Sequence, residues 1–144
     1  FPTRRSSDLV MQNYLTDMLL ALDFILQREE VDKSSIYVQG SAYAGACAFV
    51  ASAMTDVVAG SVASSPDFSL LTETYSGSSI AGKVSAPLLM GVGLQSDAGY
   101  LQETFSIFNC VKGVKEYFAS PVGGEVERNR WKYIKDIFIK RISE

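Results

Sequence analysis

The stretch VQGSAYAGACAFVASAM, residues 38–54, has the features of a turn that presents a catalytic nucleophile, except for the nucleophile itself. A β-branched run leads into small residues and then into an alanine-rich segment, which is the pattern of a strand, a tight turn and a helix. In the G-x-S-x-G form of this motif, small flanking residues allow a strained turn whose middle side chain points outward. Gly40 fits the first glycine, and the middle position is Ala42. Because a methyl group is not a nucleophile, the motif predicts the strained turn but no nucleophilic catalysis at its tip.

The absence of histidine limits what any site in this chain can do. None of the 144 residues is His, which removes the commonest general base and the commonest metal ligand. Two cysteines, Cys47 and Cys110, lie far apart without the paired spacing of a zinc or redox site, so we expect buried, reduced thiols. The sequence therefore predicts no metal site and no cofactor.

Composition indicates one folded domain of ordinary size. The hydrophobic share is 47% and the net charge is −3. No basic cluster lies in the interior of the sequence, so no nucleic-acid surface is expected. Polar residues and glycine interrupt the longest apolar stretch, residues 42–63, which argues against a transmembrane segment and a membrane partner. We predict a soluble protein, and the choice between a cytoplasmic and a periplasmic location stays open.

The first nine residues, FPTRRSSDL, differ in character from the rest. Over their whole length they resemble the translation of a sequencing-library adapter. We interpret residues 1–9 as an artefact to be excluded from the fold, and residues 10–144 as the domain. This interpretation implies a metagenomic, bacterial gene cut at a read boundary, hence a fragment. The alternative is a natural basic arm whose Arg4 and Arg5 contact a partner.

Helical and strand patterns alternate along the remaining sequence. In the first helix, Tyr14, Met18, Leu22 and Ile25 form an apolar stripe that we expect to be buried. The alternation predicts an α/β sheet with parallel crossovers, whose ligands bind beyond the carboxyl ends of the strands. Helices are predicted over 10–28, after the turn at Ala42, over 100–111 and over 126–142, and strands over 35–40, 57–64, 86–93 and 115–120.

Several of these segments, in this order and spacing, resemble the carboxyl-terminal half of the acetyl xylan esterase and cephalosporin C deacetylase family of α/β-hydrolases. The segments are YLTDMLLALDFILQREEVDKSSIYVQG, the turn, KVSAPLLMGVGL, FSIFN and VKEYFASP. The likeness covers nearly all of residues 10–142. It implies a parallel-sheet α/β-hydrolase fold of three αβα layers, truncated at its amino terminus. The family's ring-like assemblies also imply a homo-oligomer.

The resemblance implies where the family's Ser-Asp-His triad would lie. The family turn, V-T-G-G-S-Q-G-G-G, places Ala42 on the serine, and a G-L-x-D pattern after a strand places Ser96 on the aspartate. A P-x-x-G-H-E pattern, counted from Pro121, places Glu125 on the histidine. The triad needs a hydroxyl, a base and a group that orients the base. With all three positions substituted, the resemblance predicts an inactive homologue of a carboxylic ester hydrolase.

A displaced set of residues is the alternative, and it would make the chain an active carbohydrate acetyl esterase. Ser41 adjoins the tip of the turn and Asp97 adjoins the acid position. A one-residue shift along a tight turn re-aims the side chain, which argues against this alternative. Because polar residues of this kind commonly only satisfy a turn, we expect Ser41 to pack and Asp97 to be solvated. By the resemblance, Tyr43 would supply one backbone donor of an oxyanion hole, and Tyr100 would line the pocket. We therefore predict a non-catalytic protein that binds acetylated sugar or oligosaccharide, or serves as a scaffold or regulatory subunit.

Overall fold

The computed structural model describes residues 6–71, 76–121 and 128–144, in which helices and strands alternate. The predicted alternation is confirmed, and the short helix α3 lies in a region where the sequence patterns predict only a loop. Five residues are too few to show a helical period, which is why α3 escapes a pattern-based prediction. The elements are α1 Ser6–Leu26, β1 Tyr37–Ser41, α2 Tyr43–Met54, β2 Gly60–Ser64, α3 Gly77–Ala81, β3 Leu88–Gly93, α4 Ala98–Cys110, β4 Lys115–Ser120 and α5 Arg128–Ser143.

The four strands form one parallel sheet in the order β1-β2-β3-β4. Val38 of β1 pairs with Ser61 of β2, and Met90 of β3 pairs with Tyr117 of β4. Parallel neighbours require a crossover between strands, and the helices between them supply it. The carboxyl ends of all four strands therefore lie at one edge of the sheet, where the turn at Ala42 also lies.

Helices cover both faces of the sheet, which gives the expected three-layer αβα architecture. On one face, α1, α2, α3 and α4 contribute to a single apolar core. On the other face, the fully buried Phe138 of α5 packs with Val62 and Leu89. Successive strand residues point to opposite faces, so Leu89 meets α5 while its neighbours Leu88 and Met90 meet the first core. The largest buried side chains of that first core include Phe49, Met11, Leu88, Met90 and Val50.

Helix α1 buries a narrower stripe than the sequence predicts. Leu22 is buried as expected, whereas Tyr14 is 47% exposed and Ile25 is 37% exposed. The reason is that α1 packs along one side against α2, so only the line that carries Met11, Leu15 and Leu22 is covered.

Helix α1 starts at Ser6, inside the segment that resembles an adapter, and residues 1–5 lie outside the described residues. The artefact interpretation of residues 1–9 stays a prediction.

Helix α1 is also long and apolar enough to cross a membrane, since Leu9–Leu26 has a mean hydropathy of 1.3. Core helices of soluble proteins can have the same length and hydropathy.

Strand β1 pairs with β2 on one side only among the described residues. The Ile36 carbonyl accepts from the N–H of Ala59 at 2.7 Å, and the Ala42 N–H donates to the Ser64 carbonyl at 3.1 Å. Because main-chain groups alternate in direction along a strand, the even-numbered residues face β2. The main-chain groups of Tyr37 and Gln39 therefore face the open edge.

We expect the 144-residue chain by itself to self-associate and to be poorly stable, with a melting temperature below the ordinary mesophilic range. An edge strand with unpaired main-chain groups and apolar flanks is a template for pairing with another chain. Light scattering after size-exclusion chromatography, over a range of concentrations, together with thermal melting, checks this expectation. A monomer with a cooperative melt in the ordinary mesophilic range would contradict it.

Candidate functional site

Ala42 holds the backbone of a strained turn. Its φ is 52° and its ψ is −122°, a region that glycine favours and that costs an L-residue about 1–3 kcal/mol. The Ala42 carbonyl accepts from the N–H groups of Ala46 at 3.1 Å and Asp67 at 2.9 Å. Together with the bond from the Ala42 N–H to the Ser64 carbonyl, these contacts hold the tip in place. The strand, turn and helix expected from residues 38–54 are present, and Ala42 is exposed at the tip.

Close packing behind the tip requires glycine at position 40. A Cβ at Gly40 would lie 2.2 Å from the carbonyl oxygen of Ala44, a backbone atom that cannot move aside independently. Gly45 fills the other side of this contact, since its Cβ would lie 3.0 Å from the Gly40 oxygen and 3.3 Å from the Pro66 Cα. The small residues of the motif therefore let α2 approach the end of β1, with a methyl group at the tip.

The amino terminus of α2 opens at the same turn. Ala42 is the N-cap and makes no side-chain hydrogen bond to the helix, and Tyr43, the first helical residue, is 41% exposed. The first N–H groups of a helix lack intrahelical acceptors and carry a partial positive charge. This placement suits a donor to a ligand oxygen, as the resemblance implies for the Tyr43 N–H.

The residues at the predicted acid position follow β3. Ser96 is half-buried, and its N–H donates to the Gly93 carbonyl at 3.1 Å. Asp97 is exposed and is the N-cap of α4, where its Oδ2 accepts from the N–H groups of Gly99 at 2.9 Å and Tyr100 at 3.3 Å. The Asp97 carboxylate therefore has a structural role at the start of α4.

Ser41 is exposed, so the expectation that it packs is wrong. Side chains alternate along β1, and Gln39, two residues earlier, reaches α5, where its Oε1 accepts from Lys135 Nζ at 3.0 Å. Gly40, between them, faces α2. Ser41 thus lies on the α5 side of the sheet. It stays uncovered because α5 packs over β2 and β3.

The Tyr100 hydroxyl is buried and has no hydrogen-bond partner among the described groups. Burial raises the pKa of Tyr100 well above its ordinary value, and the nearby Tyr117, Asp67 and Glu103 add to the shift in the same direction. A raised tyrosine pKa means that the phenol stays neutral through the physiological range. Tyr100 is therefore unsuited to act as a base, and its buried hydroxyl is not open to a ligand.

The structure brings two of the three mapped triad positions to the same edge of the sheet. Ala42 follows β1 and Ser96 follows β3. The third position, Glu125, lies outside the described residues, and the strand before it, β4, ends at the same edge. Within 6–71, 76–121 and 128–144, no group of three His, Cys, Asp or Glu side chains is placed to hold a metal ion.

The two cysteines differ in exposure. Cys47 is buried as expected, and its Sγ lies 3.5 Å from the sulfur of Met11. Burial raises the pKa of the Cys47 thiol. Cys110 is exposed, contrary to the expectation, because α4 buries only the side that carries Thr104, Ile107 and Phe108.

A cleft of about 380 Å³ on the α5 side of β1 was not apparent from the sequence. Its side chains come from distant parts of the chain, so no local motif marks it. The lining includes Gln39, Ser41, Ser64, Trp131 and Lys135.

The sequence matches no protein-family model and no curated protein. Several solved structures, however, have a similar fold. The acetyl xylan esterase from Paenibacillus sp. R4 is 21% identical, with a TM-score of 0.73 over 88% of this chain and 51% of that one. Acetyl xylan esterase 1 from Thermoanaerobacterium sp. is 15% identical, with the same TM-score and the same coverage of both chains.

A dienelactone hydrolase from Anabaena variabilis is 16% identical, with a TM-score of 0.70 over 88% of this chain and 56% of that one. The chain thus spans about half the length of these solved structures. At such identities the likeness shows the fold alone. The parallel sheet, its two helical layers and the strained turn after β1 together identify this chain as an α/β-hydrolase fold.

Proposed function

We propose that this chain is a non-catalytic relative of the acetyl xylan esterases that binds acetylated sugar at the turn around Ala42. The observation that carries the proposal is the turn itself. Ala42 has a strained conformation at φ 52°, at the position that the resemblance assigns to the family's nucleophile, and presents a methyl group. A ring-like homo-oligomer with a scaffold or regulatory role belongs to the same proposal.

Ester hydrolysis by a serine hydroxyl requires a general base. No histidine is present in the whole sequence, so the usual base for a serine hydroxyl is missing. The displaced alternative has little support, because Ser41 lies on the α5 side of β1 and Asp97 caps α4. An attacking hydroxyl and its base must lie within hydrogen-bond reach of each other.

The surroundings of the tip suit an acetyl group that stays intact. The start of α2, at Tyr43, provides a backbone N–H and the partial positive charge of a helix terminus for the acetyl carbonyl oxygen. The Ala42 methyl can contact the acetyl methyl where a hydroxyl would attack.

We expect p-nitrophenyl acetate to hydrolyse at its spontaneous rate in the presence of the protein. We also expect acetylated xylo-oligosaccharide to raise the melting temperature of the protein. A ligand at 100 times its Kd stabilises the folded state by about 2.7 kcal/mol, which a thermal shift detects readily. The deacetylated oligosaccharide of the same length is the control and should give a smaller shift.

Two results would contradict the proposal in different ways. Hydrolysis above background that disappears in Ser41→Ala would make the chain an active esterase with a displaced nucleophile. Equal shifts, or no shift, with the acetylated and deacetylated sugars would rule out recognition of the acetyl group.

A further inference from the structure

The cleft on the α5 side of β1 lies on the face of the strand opposite α2, and it adjoins the turn through Gly40 and Ser41. Trp131 is held there by the backbone of β3, since a Cβ at Gly91 would lie 2.4 Å from the indole Cζ3. Phe118 supports the indole from the side, with ring centroids 6.1 Å apart. The indole is therefore a fixed apolar wall, and the cleft volume of about 380 Å³ lies within the range of small-molecule sites.

Lys135 and Gln39 make the polar wall of this cleft. Lys135 Nζ donates to Gln39 Oε1 at 3.0 Å. An ammonium group has only donors, so the amide atom that faces it must be the oxygen, and this leaves Gln39 Nε2 with two N–H donors for other partners. Lys135 forms no ion pair with any carboxylate that the structure describes.

The cleft is therefore rich in donors and carries one positive charge in a protein whose net charge is −3. The ammonium of Lys135, the amide NH₂ of Gln39 and the hydroxyls of Ser41 and Ser64 can all donate, and none of the described residues that line the cleft carries a carboxylate. Such a site fits a ligand with one carboxylate, several hydroxyls and an apolar face for the indole of Trp131.

We propose that this cleft binds a sugar acid, either a free uronic acid or a terminal uronate residue of an oligosaccharide. The carboxylate lies against Lys135 and Gln39, the ring hydroxyls reach Ser41 and Ser64, and the C–H face of the pyranose packs on Trp131. This inference rests on the proposed carbohydrate-binding function and adds a ligand class and a second site to it. A neutral sugar would leave the Lys135 charge without a counter-ion, which is why the acid is favoured.

Trp131 provides a direct readout, because it is the only tryptophan in the sequence. We expect sodium glucuronate to change its fluorescence saturably at millimolar concentrations, with much weaker responses to xylose and to sodium acetate. Lys135→Met should weaken glucuronate binding about fivefold, the size expected for a partly exposed charge pair. Lys132→Met is the matched control, since Lys132 is exposed on the same helix outside the cleft, and it should leave binding unchanged.

The remaining outcomes separate this inference from the proposed function. Equal responses to acetate and glucuronate, no response to glucuronate, or equal affinity in Lys135→Met and the unmodified protein would each overturn the sugar-acid site. If glucuronate fails while acetylated xylo-oligosaccharide still raises the melting temperature, the cleft inference is wrong and the proposed function stands. If glucuronate binds through Lys135 while acetylated sugar does not bind, the cleft is supported and the turn is not the sugar site. A circular dichroism melt of Lys135→Met confirms that the variant is folded.

Discussion

Replacing Ala42 by serine is expected to leave acetyl ester hydrolysis at background. The new hydroxyl would have no base, because the sequence contains no histidine. Triad members act as a unit, and the loss of the nucleophile or the base alone removes about a millionfold in kcat. The residual rate enhancement from oxyanion stabilisation and binding is on the order of a thousandfold over water. Such a rate is hard to detect against the spontaneous hydrolysis of p-nitrophenyl acetate.

Restoring all three mapped positions is the corresponding positive experiment. Ala42→Ser combined with Ser96→Asp and Glu125→His is expected to give measurable acetyl release when this chain is joined to the other half of an α/β-hydrolase fold, which supplies the second oxyanion donor. The pair Ala42→Ser and Ser96→Asp without Glu125→His is the matched control and should stay at background. Hydrolysis by the unmodified protein that survives Glu125→Ala would refute the claim that the protein is inactive.

Gly40→Ala is expected to destabilise the protein by about 3 kcal/mol, and so to lower its Tm by about 10 °C. The added Cβ would lie 2.2 Å from the Ala44 carbonyl oxygen and 2.7 Å from the Gly45 nitrogen, so β1 and α2 would have to separate. Gly82→Ala is the matched control, because its Cβ would meet only the Ser79 oxygen, at 3.9 Å, and its φ of −64° suits alanine. Thermal melts of both variants measure the difference.

Equal melting temperatures for Gly40→Ala and the unmodified protein would show that the turn is not packed as described. The tip residue could then not hold its conformation, and the comparison of Ala42 with a nucleophile would lose its basis. A variant of Gly40 that fails to fold while Gly82→Ala folds normally agrees with the prediction.

Local patterns were sufficient for the elements that build the turn and the sheet. The run KEYFAS coincides with β4, Lys115–Ser120. The strand predicted over 35–40 overlaps β1, Tyr37–Ser41, and the strand predicted over 86–93 contains β3, Leu88–Gly93. An apolar run of this length between polar segments has few ways to bury its side chains other than as an inner strand. The conformation of Ala42 follows from the same local logic, because small residues at positions 40 and 45 are needed only where a helix closes tightly on a strand.

The exposure of individual side chains depended on which neighbour covers them. Tyr14 lies on a stripe with helical spacing, yet it is exposed, because α1 meets α2 along a different line. Ser41 and Cys110 are exposed for the same kind of reason, one beyond the reach of α5 and the other on the outer side of α4. Periodicity shows which residues are able to share a face but not which face a neighbouring element will cover.

The cleft beside β1 is the clearest example of a feature that sequence patterns do not predict. Gln39 and Lys135 are 96 residues apart in sequence, and nothing in either local segment marks them as partners. They meet because the parallel crossovers bring α5 back across the sheet to lie over β2 and β3, with the side chains of β1 at its border. The strand and its turn belong to one contiguous segment whose residue types are constrained locally, as at Gly40 against Ala44, and they are therefore predictable from the sequence even though Ser64 and Asp67 also hold the turn. The cleft exists only once the order of the strands and the position of the last helix are set by burial of the whole core.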